Sequence, residues 1–170
     1  MPRLFLVLAV VASVLIAPPA TAASAAASPA AAPSALWMAP LDGQPTVTRP
    51  FEAPPSPYAA GHRGVDLAGT VGQPVLAAGD GMVVFAGQVA GRPVVSVQHT
   101  DGLRTTYEPV QPVVAAGQAV ARGTPLGVLV AGHTGCPAEG CLHWGLRRGE
   151  TYLDPMSLLR PPRVRLLPWH

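Results

Sequence analysis

The sequence predicts an all-β fold, a small single-domain β-sandwich or barrel-like sheet, and three observations carry that expectation. The apolar residues fall in short β-branched runs and show no helical period. Glycine and proline bound those runs. The turn signals recur roughly every eight to twelve residues, the spacing of a sandwich or barrel. The runs cover residues 75–77, 82–86, 94–97 and 126–130. The turn signals fall at Gly72, at 79–81, at 91–93, at Asp101 and Gly102, at Gly117 and at Gly123. A weak internal echo links Gly72-Gln73-Pro74-Val75, Gly117-Gln118-Ala119-Val120 and Gly123-Thr124-Pro125-Leu126, each a glycine turn leading into an apolar strand.

With 170 residues, the chain can hold one core of ordinary size plus extra chain at its ends. Arg3, the apolar run over 4–17 and the triplet Ala20-Thr21-Ala22 read as a signal peptide over 1–22. About 14 apolar residues fall short of the roughly 20 that span a bilayer, so no stable membrane span is expected after cleavage. Residues 23–40 are nearly all Ala, Ser and Pro, which cannot bury enough apolar surface to offset ordering entropy, and read as a linker. The folded domain is expected over 41–160, and the prolines and arginines of 161–170 suggest an extended tail. This organisation predicts a secreted, extracytoplasmic protein, monomeric and associated with the cell wall. A net charge of +2 leaves no basic footprint for nucleic acid.

Chemistry-bearing residues concentrate in two segments. In Gly61-His62-Arg63-Gly64-Val65-Asp66, a histidine stands four residues ahead of a carboxylate. Both are good zinc ligands, but zinc needs three or four donors, so the pair is half a site. The same spacing also serves a turn in which Asp66 caps backbone amides. The second segment is Cys141-Leu142-His143-Trp144-Gly145, after the glycine-rich loop that carries His133. As a strand, it would aim Cys141 and His143 to one face and Leu142 and Trp144 into the opposite layer. His143 could then complete the site. Trp144 and Tyr107 read as core or groove wall, and His99 and His170 carry no motif.

Together these segments resemble the lysostaphin-like, LytM-type peptidoglycan endopeptidases, whose pattern is HxxxD early and HxH late. The likeness spans residues 47–159 and extends through 69–87, 94–107 and 120–135, which are similar to that family's connecting strands in order and spacing. The resemblance implies a β-sheet scaffold of the lysostaphin-like type with a groove. It also implies one zinc ion held by His62, Asp66 and His143, and peptidoglycan or cell-wall peptides as partners. The function it implies is a zinc metalloendopeptidase acting on cross-bridge peptides.

Two departures bear on activity. Active members place two further histidines near the zinc. The matching positions here are Pro109, in Tyr107-Glu108-Pro109, and Cys141. A positioned acid or base adds about 10²–10⁴-fold to such a reaction, so weakened catalysis is expected. Glu108 and His133 are the nearby titratable groups that could substitute, and neither sits at the family's position. A non-catalytic member that binds the cell wall or regulates a hydrolase is the alternative. For the cysteines, export favours a Cys136–Cys141 disulfide. The other reading makes Cys141 a thiolate and fourth zinc ligand, which would close the site.

Overall fold

Period-two alternation governs the two strands at the centre of the fold. In β6 (Leu103–Glu108), Leu103, Thr105 and Tyr107 face inward and Arg104, Thr106 and Glu108 outward. In β10 (Gly140–Arg148), Leu142, Trp144 and Leu146 enter the core, while His143 and Arg147 stand on the other face. The structure is a computed structural model that describes residues 36–56 and 59–160. The expected signal peptide over 1–22, the tail over 161–170 and the linker as far as residue 35 lie outside the described residues.

The remaining strands are β1 (Val47–Arg49), β2 (Gly64–Gly69), β3 (Pro74–Leu76), β4 (Gly81–Val89), β5 (Arg92–Gln98), β7 (Val110–Pro112), β8 (Ala119–Val120), β9 (Pro125–Leu129) and β11 (Thr151–Leu153). Among the described residues there is no α-helix, only two 3₁₀ turns, and the expected all-β class holds. The strands form an eight-stranded sheet ordered β1-β2-β10-β6-β5-β4-β8, with β11 on β10, and a three-stranded sheet ordered β3-β9-β7. Among the described residues every strand pair is antiparallel. The runs anticipated at 75–77, 82–86, 94–97 and 126–130 correspond to β3, β4, β5 and β9. β2 was not anticipated as a strand from its residues, because Gly-Val-Asp-Leu-Ala-Gly is buried on both faces and shows no clean alternation.

One core lies between the sheets. Trp144, Tyr107, Leu67 and Leu142 from the large sheet meet Val75, Val110, Leu126 and Leu129 from the small one, all fully buried. Trp144 and Tyr107 are thus core residues. Packing begins ahead of β1, where the Met38 amide donates to the Ala78 carbonyl at 2.9 Å and the Trp37 ring meets His99 edge-on at 4.8 Å.

His99 is buried structural apparatus. Its Nδ1 donates to the Asp80 carbonyl (2.8 Å), and its Nε2 lies 2.7 Å from the Thr105 hydroxyl, itself 2.9 Å from the Tyr107 hydroxyl. Burial pushes Tyr107 up to about 12, against the hydrogen bonds from Thr105 and Ala78. Burial likewise holds His99 below its ordinary 6.5, against the pull of Asp80. The unfolded chain therefore takes up this proton first as pH falls. Stability from His99 is complete above 6.5 and is lost below it. Melting temperatures measured in chelator should fall between pH 7.5 and 5, and His99→Gln should flatten that slope; an unchanged slope would remove His99 as its cause.

Candidate metal centre

Strand register builds the site. In β2 and β10, Asp66 stands opposite His143, and in β10 and β6, His143 stands opposite Glu108. Cross-strand partners share a face, so the three side chains form a row on the outer side of the large sheet. His62 joins from the chain ahead of β2, where it bridges to Glu52 through two backbone hydrogen bonds of 3.0 and 2.9 Å. Gly64 lies between His62 and Asp66. A Cβ there would strike the Trp144 carbonyl and come within 2.8 Å of the His143 ring, so the bare backbone lets His143 lie against β2.

The donor atoms meet around one carboxylate oxygen. Asp66 Oδ1 lies 3.0 Å from His62 Nε2, 3.0 Å from His143 Nδ1 and 3.1 Å from His133 Nε2. His62 Nε2 is 3.1 Å from His143 Nδ1. The Pro50 carbonyl, which can only accept, is 2.6 Å from His62 Nδ1; that nitrogen carries the proton, and Nε2 presents a lone pair to Asp66. His133 is arranged alike, with Nδ1 3.1 Å from the Thr134 carbonyl. A carboxylate facing imidazole lone pairs at such range is repulsive unless a proton or cation lies between. Two imidazole nitrogens and one carboxylate oxygen suit zinc, and the ligand atoms of His62, Asp66 and His143 lie within 4.8 Å of one another. The Pro50 carbonyl fixes the tautomer of His62, as an outer hydrogen-bond partner does for a histidine that binds metal.

Asp66 is 4% exposed. Burial alone would raise its carboxyl, but the hydrogen bond from His143 and the positive charge that His133, His62 and His143 carry when protonated outweigh this and hold it below its ordinary value. A cavity of about 320 Å³ lies over the three histidines, walled by Arg49, Arg63 and Arg92.

The structure therefore brings together His62, Asp66 and His143, and adds His133 to the same oxygen. Glu108 borders the cavity, but its Oε1 is 2.7 Å from Arg92 Nε. Of the two readings of the cysteines, the disulfide is present: Cys136 and Cys141 are bonded, with Cα atoms 5.6 Å apart. No Cys141 thiolate is then available as a ligand. Sequence reasoning missed the Pro50 carbonyl and the arginines around the cavity. Nothing local marks Pro50, whereas Arg63 stands beside His62 within the first motif.

Residues 60–155 match the sequence profile of Peptidase family M23. An uncharacterised protein of Mycobacterium tuberculosis is 53% identical over 133 residues, which cover 76% of this chain and 53% of that protein. The chain thus spans about half the length of the curated relatives it first matches. The DD-carboxypeptidase/endopeptidase Mpg of Neisseria meningitidis is 31% identical over 101 residues, covering 59% of this chain and 23% of Mpg. The fold is that of the catalytic domain of lysostaphin from Staphylococcus simulans, with a TM-score of 0.57 at 24% identity over 68% of this chain and 92% of that domain.

The disulfide closes a loop with a sequence separation of 5, just ahead of His143 and just after His133. Replacing both cysteines by serine should lower stability by about 2 kcal/mol. Amide hydrogen exchange over 131–140 should then quicken while β2 and β6 stay protected; protection of the loop at wild-type levels would show that the disulfide does not hold it.

Proposed function

This chain belongs to peptidase family M23, and from that premise we propose that its folded domain is a zinc metalloendopeptidase domain directed at the cross-bridge peptides of peptidoglycan, with weakened catalysis. The observation that carries the proposal is the convergence of His62, Asp66 and His143, with His62 Nε2 forced by Pro50 to point its lone pair at Asp66. In this reading those three side chains hold zinc. Zinc held by these three side chains would supply Lewis acidity toward a peptide carbonyl. Residues 1–22 serve export, the chain from 23 to the start of packing at Trp37 tethers the domain, and the protein acts outside the membrane as a monomer.

What the chain itself contributes to proton transfer is thinner. Pro109 has no group to offer, and Cys141 is locked to Cys136. Glu108 is engaged by Arg92. His133 remains, its Nε2 beside Asp66 and facing the cavity, where it can hold or pass a proton. These losses favour the second reading, a non-catalytic member that binds cell-wall peptides or regulates a hydrolase.

The purified chain should bind about one zinc ion, and His62→Ala, Asp66→Ala or His143→Ala should each abolish binding by metal analysis after dialysis. Failure of the unmodified chain to take up zinc would overturn the proposal.

Release of new amino groups from purified cell walls should be at least about a hundredfold slower than with a relative carrying both histidines. His133→Ala should slow it by about tenfold more without loss of zinc. Pro109→His with Cys141→His, made in a Cys136→Ser background, should raise the rate. A rate equal to that of such a relative would remove the weakened reading.

A further inference from the structure

Beyond the metal centre, the same face of the large sheet carries two arginines directly opposite each other. Arg104 on β6 pairs in register with Arg147 on β10, so the two side chains stand side by side. Like charges in that relation are destabilising. The neutralisation at hand is meagre. Arg104 donates from Nε to the neutral Gln98 Oε1 at 3.0 Å and has no carboxylate partner among the described residues. Arg147 meets Glu150 at 3.3 Å, but that glutamate side chain is 94% exposed, so solvent screens the pair.

Both arginines line a cavity of about 330 Å³ that reaches His143 and is also bordered by Arg63. Its floor is made by register partners: Ser96 opposite Thr106, and Thr106 opposite Gly145. The Ser96 and Thr106 hydroxyls lie 3.1 Å apart. Gly145 projects no side chain, so the backbone of β10 is open between His143 and Arg147. The acid that borders this cavity near the metal centre, Glu108, is held by Arg92.

We propose that Arg104 and Arg147 form a carboxylate subsite for the peptide that lies along this groove. The inference rests on the peptidase reading of the metal centre and names the substrate class: a peptide with a free carboxylate at a set distance from the bond held at that centre. Four residues of strand separate His143 from Arg147, about 13 Å at about 3.3 Å per residue. An extended peptide covers that span with about four residues. The planar guanidinium of Arg104, engaged through Nε alone, keeps its terminal nitrogens for a two-point contact with such a group. The carboxylate could belong to an acidic side chain or to a chain terminus.

The test uses the purified full chain with one equivalent of zinc and three acetylated hexapeptides of glycine and alanine. One has a free C-terminus, one has a C-terminal amide and a single glutamate, and one has a C-terminal amide and no acid. By titration calorimetry at low salt, at least one acidic peptide should bind tenfold or more tightly than the neutral one, and the tighter of the two identifies the source. Arg104→Gln should collapse that preference without lowering the melting temperature, while Arg104→Lys keeps part of it. Equal affinities for the three peptides, or a preference that survives Arg104→Gln, would overturn the subsite. Zinc uptake is read in the same samples. A zinc-loaded chain with no preference refutes the subsite alone, whereas a preference without zinc uptake refutes the peptidase reading and leaves an anion site standing.

Discussion

The pairing of β2 with β10 is the constraint on which the rest depends. Side chains alternate faces along each strand, so a slip of one residue would carry Asp66 away from His143 and send one of them toward the core. Two fully buried residues beside the site forbid that slip. Leu142 and Trp144 enter the core on either side of His143, and Leu67 lies opposite Leu142. The hydrophobic interior therefore sets where the polar row stands, and the site takes its precision from packing on the far face of the same strands.

That dependence explains what could be read in advance. His62, Asp66 and His143 were legible because two short motifs announce them, and the strand reading of 141–145 already put His143 opposite the core face. The strand-rich fold was legible from turn spacing. The approach of His133 to Asp66 was not, since it is set by the path of a loop between β9 and β10 and not by any local period. The Arg104–Arg147 pair belongs to the same class. Each lies on an outward position of its own strand, but the juxtaposition arises only once β6 and β10 pair.

The face that carries the His62, Asp66 and His143 cluster is polar in a lopsided way. Asp66 gathers three imidazoles, Glu108 takes Arg92, and the arginines farther along the groove outnumber the acids near them. A positive field over an open trough favours the arrival of anionic peptides and weakens as salt rises. The disulfide ties the chain just after His133 to the strand just ahead of His143, so the loop leaving the site and the strand entering it are joined covalently.

The acceptor that orients His62 is a main-chain carbonyl, that of Pro50. Every amino acid brings the same carbonyl, so the tautomer of His62 is insulated from the identity of the side chain at position 50. Substitutions there can drift freely as long as the path of the backbone is kept. The bridge between Glu52 and His62 keeps it, again through backbone groups alone. This part of the site thus depends on the course of the chain and not on the side chain at position 50.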